Sequence, residues 1–514
     1  MMPTFQYYDD GALPPKPWPS AAPSAVSMAA CAALFAVLWL LWVAWSRLEA
    51  PATDKVFHMV RFNTMQSFLT FAHYSMVLLD AFGLAQQLNN GAGYSGWIIG
   101  IYQLWYGIGA LLVWVLFQLR PNSCLTFPRV LVCSSLGIHV LGAAGYVAIA
   151  GGYFRHSLNR HVLLAARSLS GLGGGQLMQF NMVSIAKVVP PAERPGPVAK
   201  IFFGNTLGVG MGPIMAVLCN LVFRAFRTSP ASSGFALVGV AQVAGSLVLL
   251  ASVATLYPDL SEFVVEEGGE EREGEAAQRG SPGGRKLLES AASAPSPAST
   301  TSAASIRSAA SERYSEEQAD FQGRRWVIAG CIGLTLIRGL GVSSLEAATS
   351  YVLETDYRWP APSIGVVISS TFLAIVPIKL AYSWYQERLS VVGWMRLLML
   401  LCLVGVVLLP LWHHPWWIVA LDAVIFPCLY WSDVLGVGVM QRHFLPEGSY
   451  FDANHGSLLQ SLAANALGRC AGPVVTRPQI ESIGFTGYCI QQLVLVLLFF
   501  VILEFTVKRN MIID

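Results

Sequence analysis

Residues 167–197 read RSLSGLGGGQLMQFNMVSIAKVVPPAERPGP. An apolar run holding Gly171, Gly173, Gly174 and Gly175 leads into a polar, proline-rich turn. In a water-exposed helix each glycine costs about 1 kcal/mol against alanine. In a bilayer the same small residues let neighbouring helices approach closely. Arg167 stands inside the run, and a charge at membrane depth usually faces a cavity or a partner. The stretch reads as a transmembrane helix packed through glycine and carrying one interior charge.

The rest of the chain agrees. Of 514 residues 54% are apolar and 12% charged, against about 25% charged in a typical soluble protein. Residues 257–325 hold 21 of the 62 charged residues, so the remainder is poorer still. A soluble globular enzyme, a nucleic-acid binder and a disordered scaffold are excluded. The net charge of +2 gives no bulk preference for an anionic partner. Nine cysteines are scattered without metal-ligand or disulfide spacing, so no metal and no cofactor is expected. Nucleophile-elbow, zincin and Walker motifs are missing, which speaks against an enzyme.

A span needs about 20 apolar residues. Thirteen stretches qualify: 25–46, then 62–87, 95–119, 130–150, 162–187, 201–223 and 235–256, then 327–352, 363–384, 391–411, 416–440, 455–475 and 486–507. The predicted organisation is a disordered tail (1–24), an extra transmembrane helix and its connection (25–60) and a six-helix bundle (61–256). A disordered cytoplasmic linker (257–325), a second six-helix bundle (326–507) and a cytoplasmic tail (508–514) follow. The linker is rich in Ser, Ala, Gly, Pro and charge, a composition that cannot pack a core. The alternative for 25–46 is a cleaved targeting segment. With 47–61 on the cytoplasmic side, that side receives thirteen Lys and Arg outside the linker and the other side seven, Arg477 among them. Positive charge favours the cytoplasm, so the linker and C-terminus are expected there.

Six spans, a long linker and six more spans resemble the major facilitator superfamily. Residues 167–175 are similar to its Arg-x-x-x-Gly-x-Gly pattern, and GNTLGVGMGPIMA (204–216) is similar to its Gly-rich fifth helix. LGRCAGP (467–473) is similar to the corresponding part of the second half. LRPNSCLTFPR (119–129) stands where the superfamily carries a Gly-x-x-x-Asp-Arg latch, and it lacks both the Asp and the Gly. SGWIIGIYQLWYGIGA (95–110), TLGVGMGP (206–213) and Glu346 resemble the branch holding the SPX-bearing vacuolar phosphate transporters and the lysosomal facilitator of ceroid lipofuscinosis. The stretch before the first core span is too short for an SPX domain. The resemblance implies an all-α membrane protein with a 12-helix (6+6) facilitator fold, here with one extra N-terminal helix. It also implies a monomer in a vacuolar, lysosomal or plasma membrane.

Charges away from helix ends are Asp80, Arg167, Arg338, Glu346, Lys379, Asp422, Asp433 and Arg469. Lys379 is expected to snorkel and Asp422 to be interfacial. Gln66, His73 and Asp80 recur every seven residues along one helix side, and Ser457, Ser461, Asn465 and Arg469 every four. The resemblance implies that the first, fourth, seventh and tenth helices line a central cavity; helix–helix hydrogen bonding is the alternative for each stripe. Glu346, Asp80 and His73 are the candidate proton-coupling groups. Arg167, Arg338, Arg469, Asn465, Gln66 and Asp433 are candidates for substrate binding or charge pairing. Gly171, Gly173, Gly208, Gly212, Pro213 and Pro473 are candidate packing or hinge positions. The leading expectation is a proton-coupled secondary transporter of a small solute, an anion such as phosphate. An efflux antiporter for apolar or cationic metabolites, and a non-transporting subunit docking a partner through its N-terminal helix, are the other readings.

Overall fold

A computed structural model describes residues 25–48, 54–88, 90–151, 156–190, 193–226, 234–263, 300–446 and 449–511. The expected tail 1–24 and the larger part of the linker, 264–299, lie outside the described residues. The described chain is helical throughout, without a strand.

Ala25–Leu48 (α1) is followed by Lys55–Met76 (α2), Ala81–Gln87 (α3), Ala92–Leu119 (α4), Ser123–Thr126 (α5), Pro128–Ala150 (α6), His156–Val188 (α7), Pro195–Ala225 (α8) and Phe235–Leu256 (α9). After the linker come Thr300–Thr355 (α10), Ala361–Leu373 (α11), Ile375–Tyr385 (α12), Val391–Leu408 (α13), Pro415–His443 (α14), Ala453–Ser461 (α15), Cys470–Ile483 (α16) and Phe485–Ile502 (α17). Among the described residues nine helices are long and apolar enough to cross a membrane, and α2 with α3 adds a span bent by 46°. Helices α1, α7 and the α15–α16 unit complete the thirteen stretches; α7 is 33 residues long but polar enough to fall below that hydropathy.

Local sequence sets the helix starts. The Asp54 carboxylate accepts from the Phe57 amide at the start of α2, and Asp452 accepts from the His455 amide at the start of α15. Each satisfies an amide that the first turn leaves without a partner. Prolines open α6, α8 and α14, where their missing N–H costs nothing. Gly484, at φ +85°, turns the chain between α16 and α17.

Glycine then sets the packing. A Cβ at Gly204, Gly208 or Gly212 of α8 would run into Thr64 O, Phe68 O or Ala72 O of α2. The two backbones thus meet in register, four residues at a time. Gly171 and Gly175 meet Tyr102 O and Tyr106 O of α4, and Gly173 meets Ser135 O of α6. Pro213 lies inside α8 and Pro473 inside α16. The halves touch where α4 meets α16, with Gly96 against Pro473 O and Gly100 against Cys470 O, and where α8 meets α11. Helix α1 lies on the outside of the N-terminal half. Ser27, Cys31, Phe35 and Trp39, four apart, are buried there against α8 and α9, and Trp39 meets Phe68 edge-on.

Three features depart from the sequence reading. Residues 300–325 are not a disordered tether: they form one helix with the seventh core span, 56 residues from Thr300 to Thr355. Arg477 is not in a loop. Buried inside α16, it donates to Ser95 Oγ (2.6 Å) and Ser350 Oγ (3.2 Å), which leaves six basic residues for the non-cytoplasmic side. Asp422 is not interfacial but 1% exposed, and it accepts a hydrogen bond from the Thr349 hydroxyl.

Gly208→Val is expected to cost about 1–3 kcal/mol through overpacking, read as a lower apparent melting temperature of the purified protein. Gly137→Ala, with nothing within 4 Å of the added methyl, should leave that temperature unchanged.

Candidate functional site

Two pairs of interior charges lie close to the meeting of the two halves. Glu346 of α10 pairs with Arg469 at 3.4 Å, and neither side chain has any exposed surface. The Tyr74 hydroxyl, reaching across from α2, donates to Glu346 Oε2 at 3.0 Å. The Arg469 guanidinium lies 5.2 Å from the Phe71 ring centroid and 5.4 Å from that of Tyr74. A cation over a desolvated aromatic face is attracted by the ring quadrupole. One ion pair of the C-terminal half is thereby held by two aromatic residues of the N-terminal half.

Arg469 closes a π-helical segment, Leu462–Arg469, between α15 and α16. In an α-helix residues four apart drift one way around the axis. The wider π turn, with its i→i+5 bonds, drifts them back. Ser457, Ser461, Asn465 and Arg469 stay near one line because the helix changes type beneath them. All four are buried.

A second pair lies beside the first. Arg338 meets Asp433 at 2.8 Å, the Thr335 hydroxyl donates to Asp433 at 2.7 Å, and Arg338 lies 5.2 Å from the Tyr430 ring centroid. Arg338 also borders a narrow cavity between the halves. Asn205 and Phe71 line it from one half, Gln460, Ser461 and Asn465 from the other. Among the described residues of that lining, Arg338 is the only charged one.

Arg167 stays within the N-terminal half. It donates to the carbonyls of Ile98 (3.3 Å) and His73 (3.4 Å), and its guanidinium lies 4.7 Å from the Tyr102 ring centroid. His73 stacks on His139, with Nδ1 and Nε2 2.5 Å apart, and His139 Nδ1 faces Ser170 O at 2.8 Å. Asp80 stands at the α2–α3 break, buried, with Oδ2 lacking a hydrogen-bond partner. Gln66 is buried and neither amide atom has a partner. None of Gln66, His73, Asp80 and Arg167 lines the cavity.

The halves are also joined by side-chain contacts towards both ends of the bundle. Arg477 ties α16 to Ser95 at one end. At the other, Gln179 donates to Asn454 Oδ1 at 3.1 Å, and Trp114 meets His455 edge-on. The turn in the latch position stays within its own half: Asn122 accepts from Lys187, and Arg129 donates to Tyr257 O. Lys379 is half-buried, its ammonium 3.4 Å from the Phe203 ring centroid.

Tyr74, His139, Asn205, Gln460 and Arg477 were missed by sequence reasoning. Arg477 carried a usable signal, since it follows Arg469 by eight residues on the same helix side, but it falls just past the apolar stretch 455–475. The others are ordinary polar residues in helices, and only folding shows what they face.

Among family models, that of the Major Facilitator Superfamily matches residues 62–441. No curated protein matches the chain. Similar solved structures include the xylose transporter XylE from E. coli in a partially occluded inward-open conformation (TM-score 0.59, 13% identity, covering 87% of this chain and 98% of that one). Another is the proton:xylose symporter XylE bound to 6-bromo-6-deoxy-D-glucose (TM-score 0.61, 12% identity, 90% and 97%). A D-xylose–proton symporter is similar as well (TM-score 0.61, 13% identity, 89% and 99%). At these identities the likeness shows the fold.

Arg338→Met leaves Asp433 charged and unpaired in the interior, which should cost about 3–5 kcal/mol. The double substitution Arg338→Met, Asp433→Leu removes both charges and should recover most of that loss. Apparent melting temperatures of the three proteins check the coupling.

Proposed function

The chain belongs to the major facilitator superfamily of transporters, and on that premise we propose that it carries a small anion across a membrane by proton-coupled alternating access. The observation that carries this reading is the Glu346–Arg469 pair, held by Phe71 and Tyr74 of the opposite half. Secondary transporters of this kind rock two halves about a midplane site. A proton on Glu346 removes its negative charge and weakens its hold on Arg469. Arg469 and Tyr74 are then free to re-partner as the halves move. Loading the site with a proton and loosening the seam become one event.

Arg338 is the anion-binding residue in this reading, because it is the charged member of the cavity lining. The Asn205, Gln460 and Asn465 amides and the Ser461 hydroxyl supply the remaining polar contacts. Asp433 holds Arg338 in place and is not itself a substrate contact. His73 lies on the same helix as Tyr74, Asp80 at the break that follows it, and both are the other proton-carrying candidates. Gly171, Gly173, Gly208 and Gly212 serve as packing positions, and Pro213 and Pro473 as hinges beside the moving seam. A cytoplasmic linker and C-terminus accord with the charge bias, and function as a monomer rests on the family resemblance. A phosphate-like substrate and a vacuolar or lysosomal membrane rest on the branch resemblance.

A second reading has its own support. Three amide side chains around one cavity suit a neutral polyhydroxylated solute, and the similar solved structures are described as a xylose transporter and a proton:xylose symporter.

Uptake into proteoliposomes of purified protein tests both. Phosphate, other anions and sugars are offered with and without an imposed pH gradient. The expected outcome is gradient-driven uptake of an anion, abolished by Glu346→Gln and by Arg338→Ala. Undiminished gradient-driven uptake in Glu346→Gln would overturn the coupling assignment. Uptake of a sugar alone would select the second reading.

A further inference from the structure

Glu346 borders a second, narrower gap inside the C-terminal half. Its oxygen-bearing walls are Glu346 and Thr349 of α10, Thr371 of α11 and Asp422 of α14; the rest is apolar, and none of the described residues lining it is basic. Asp422 is 1% exposed. One of its oxygens accepts from the Thr349 hydroxyl, and the other, Oδ1, has no hydrogen-bond partner. The Thr371 hydroxyl donates to Val367 O at 3.1 Å, which leaves its lone pairs available to the space.

The charges do not balance. Arg469 offsets Glu346. Asp422 makes no salt bridge among the described residues, and the ionisable groups near it are Glu346 together with Tyr488 and Cys489 of α17. Farther out, Cys402 of α13 lies near Tyr488. None of these is basic. A buried carboxylate without a counter-charge is strongly unfavourable in a bilayer-spanning bundle. The net charge left over is minus one, which calls for a single positive charge. Carboxylate and hydroxyl oxygens are hard ligands, suited to hard cations rather than to soft transition metals.

We propose that Asp422, Thr349, Thr371 and Glu346 form a binding site for one dehydrated Na+ ion. The site lies within one half, apart from the cavity between the halves. A cation bound here lies against Glu346, and so bears on the pair that joins the halves. That last step rests on the transport reading; the site itself does not.

The test therefore reads stability, with no solute. Thermal unfolding of the purified full chain is followed in NaCl and in choline chloride of equal ionic strength, at alkaline and at acidic pH. Sodium binding predicts a saturable, Na+-specific rise in melting temperature that is larger at alkaline pH, because protons compete for the same carboxylate. Stabilisation on acidification with no effect of Na+ means that Asp422 merely takes up a proton, and overturns the proposal. The Na+ response must vanish in Asp422→Asn. If Asp422→Asn responds to Na+ as the wild type does, the proposal is overturned. Should Asp422→Asn fail to fold, Thr349→Val retains the carboxylate and removes its hydroxyl partner. It must shift the Na+ midpoint several-fold, and an unshifted midpoint overturns the proposal equally. Loss of the cation response with transport intact, or the reverse, keeps this inference separable from the transport reading.

Discussion

A carboxylate and a guanidinium with no exposed surface, Glu346 and Arg469, set the terms for the centre of this molecule. Removing two ions from water is expensive, and their attraction repays the cost only with good geometry and further partners. At 3.4 Å the pair is loose, and Arg469 has no hydrogen-bond partner for its guanidinium nitrogens. Phe71, Tyr74 and the Tyr74 hydroxyl make up part of the deficit from across the interface. The two halves are thus joined at the centre by an interaction that neither half can complete alone. A joint of that kind is strong enough to persist and weak enough to be exchanged.

The surroundings follow from the same constraint. Arg338 and Asp433, Arg167 and the carbonyls of His73 and Ile98, and Arg477 with Ser95 and Ser350 each answer the demand that an interior charge find a partner. Backbones can come close enough to place those partners only because glycine lines the seams. Without Gly208 against Phe68 O, α2 would stand farther from α8. The reach from Tyr74 to Glu346 would change with it.

Much of this was legible in the chain, for physical reasons. The four-residue spacing of Gly204, Gly208 and Gly212 announced a helix face, and that face meets α2 in the same spacing. The polar stripe ending at Arg469 announced an inward-facing line. Pairing was not legible. Arg338 and Glu346, eight apart on one helix, take different partners, 95 and 123 positions further along the chain. Spacing along one helix carries no information about which charge on another helix it meets. The π-helical segment was invisible too, because Leu462–Arg469 has an unremarkable composition and its geometry is imposed by packing. Arg477 and residues 300–325 were misread from local signals, the end of an apolar stretch and a polar composition, that the helices override.

The division of labour between glycine and polar side chains has an evolutionary consequence. Glycines fill the seams, whereas none of the residues lining the cavity is a glycine. A change at Asn205, Gln460 or Asn465 alters what the cavity can hold and leaves the contacts between backbones as they were. Inheritance can therefore act on the cargo and on the chassis separately. A lineage built on this scaffold can drift towards new solutes by single substitutions, without first having to reinvent the frame that moves them.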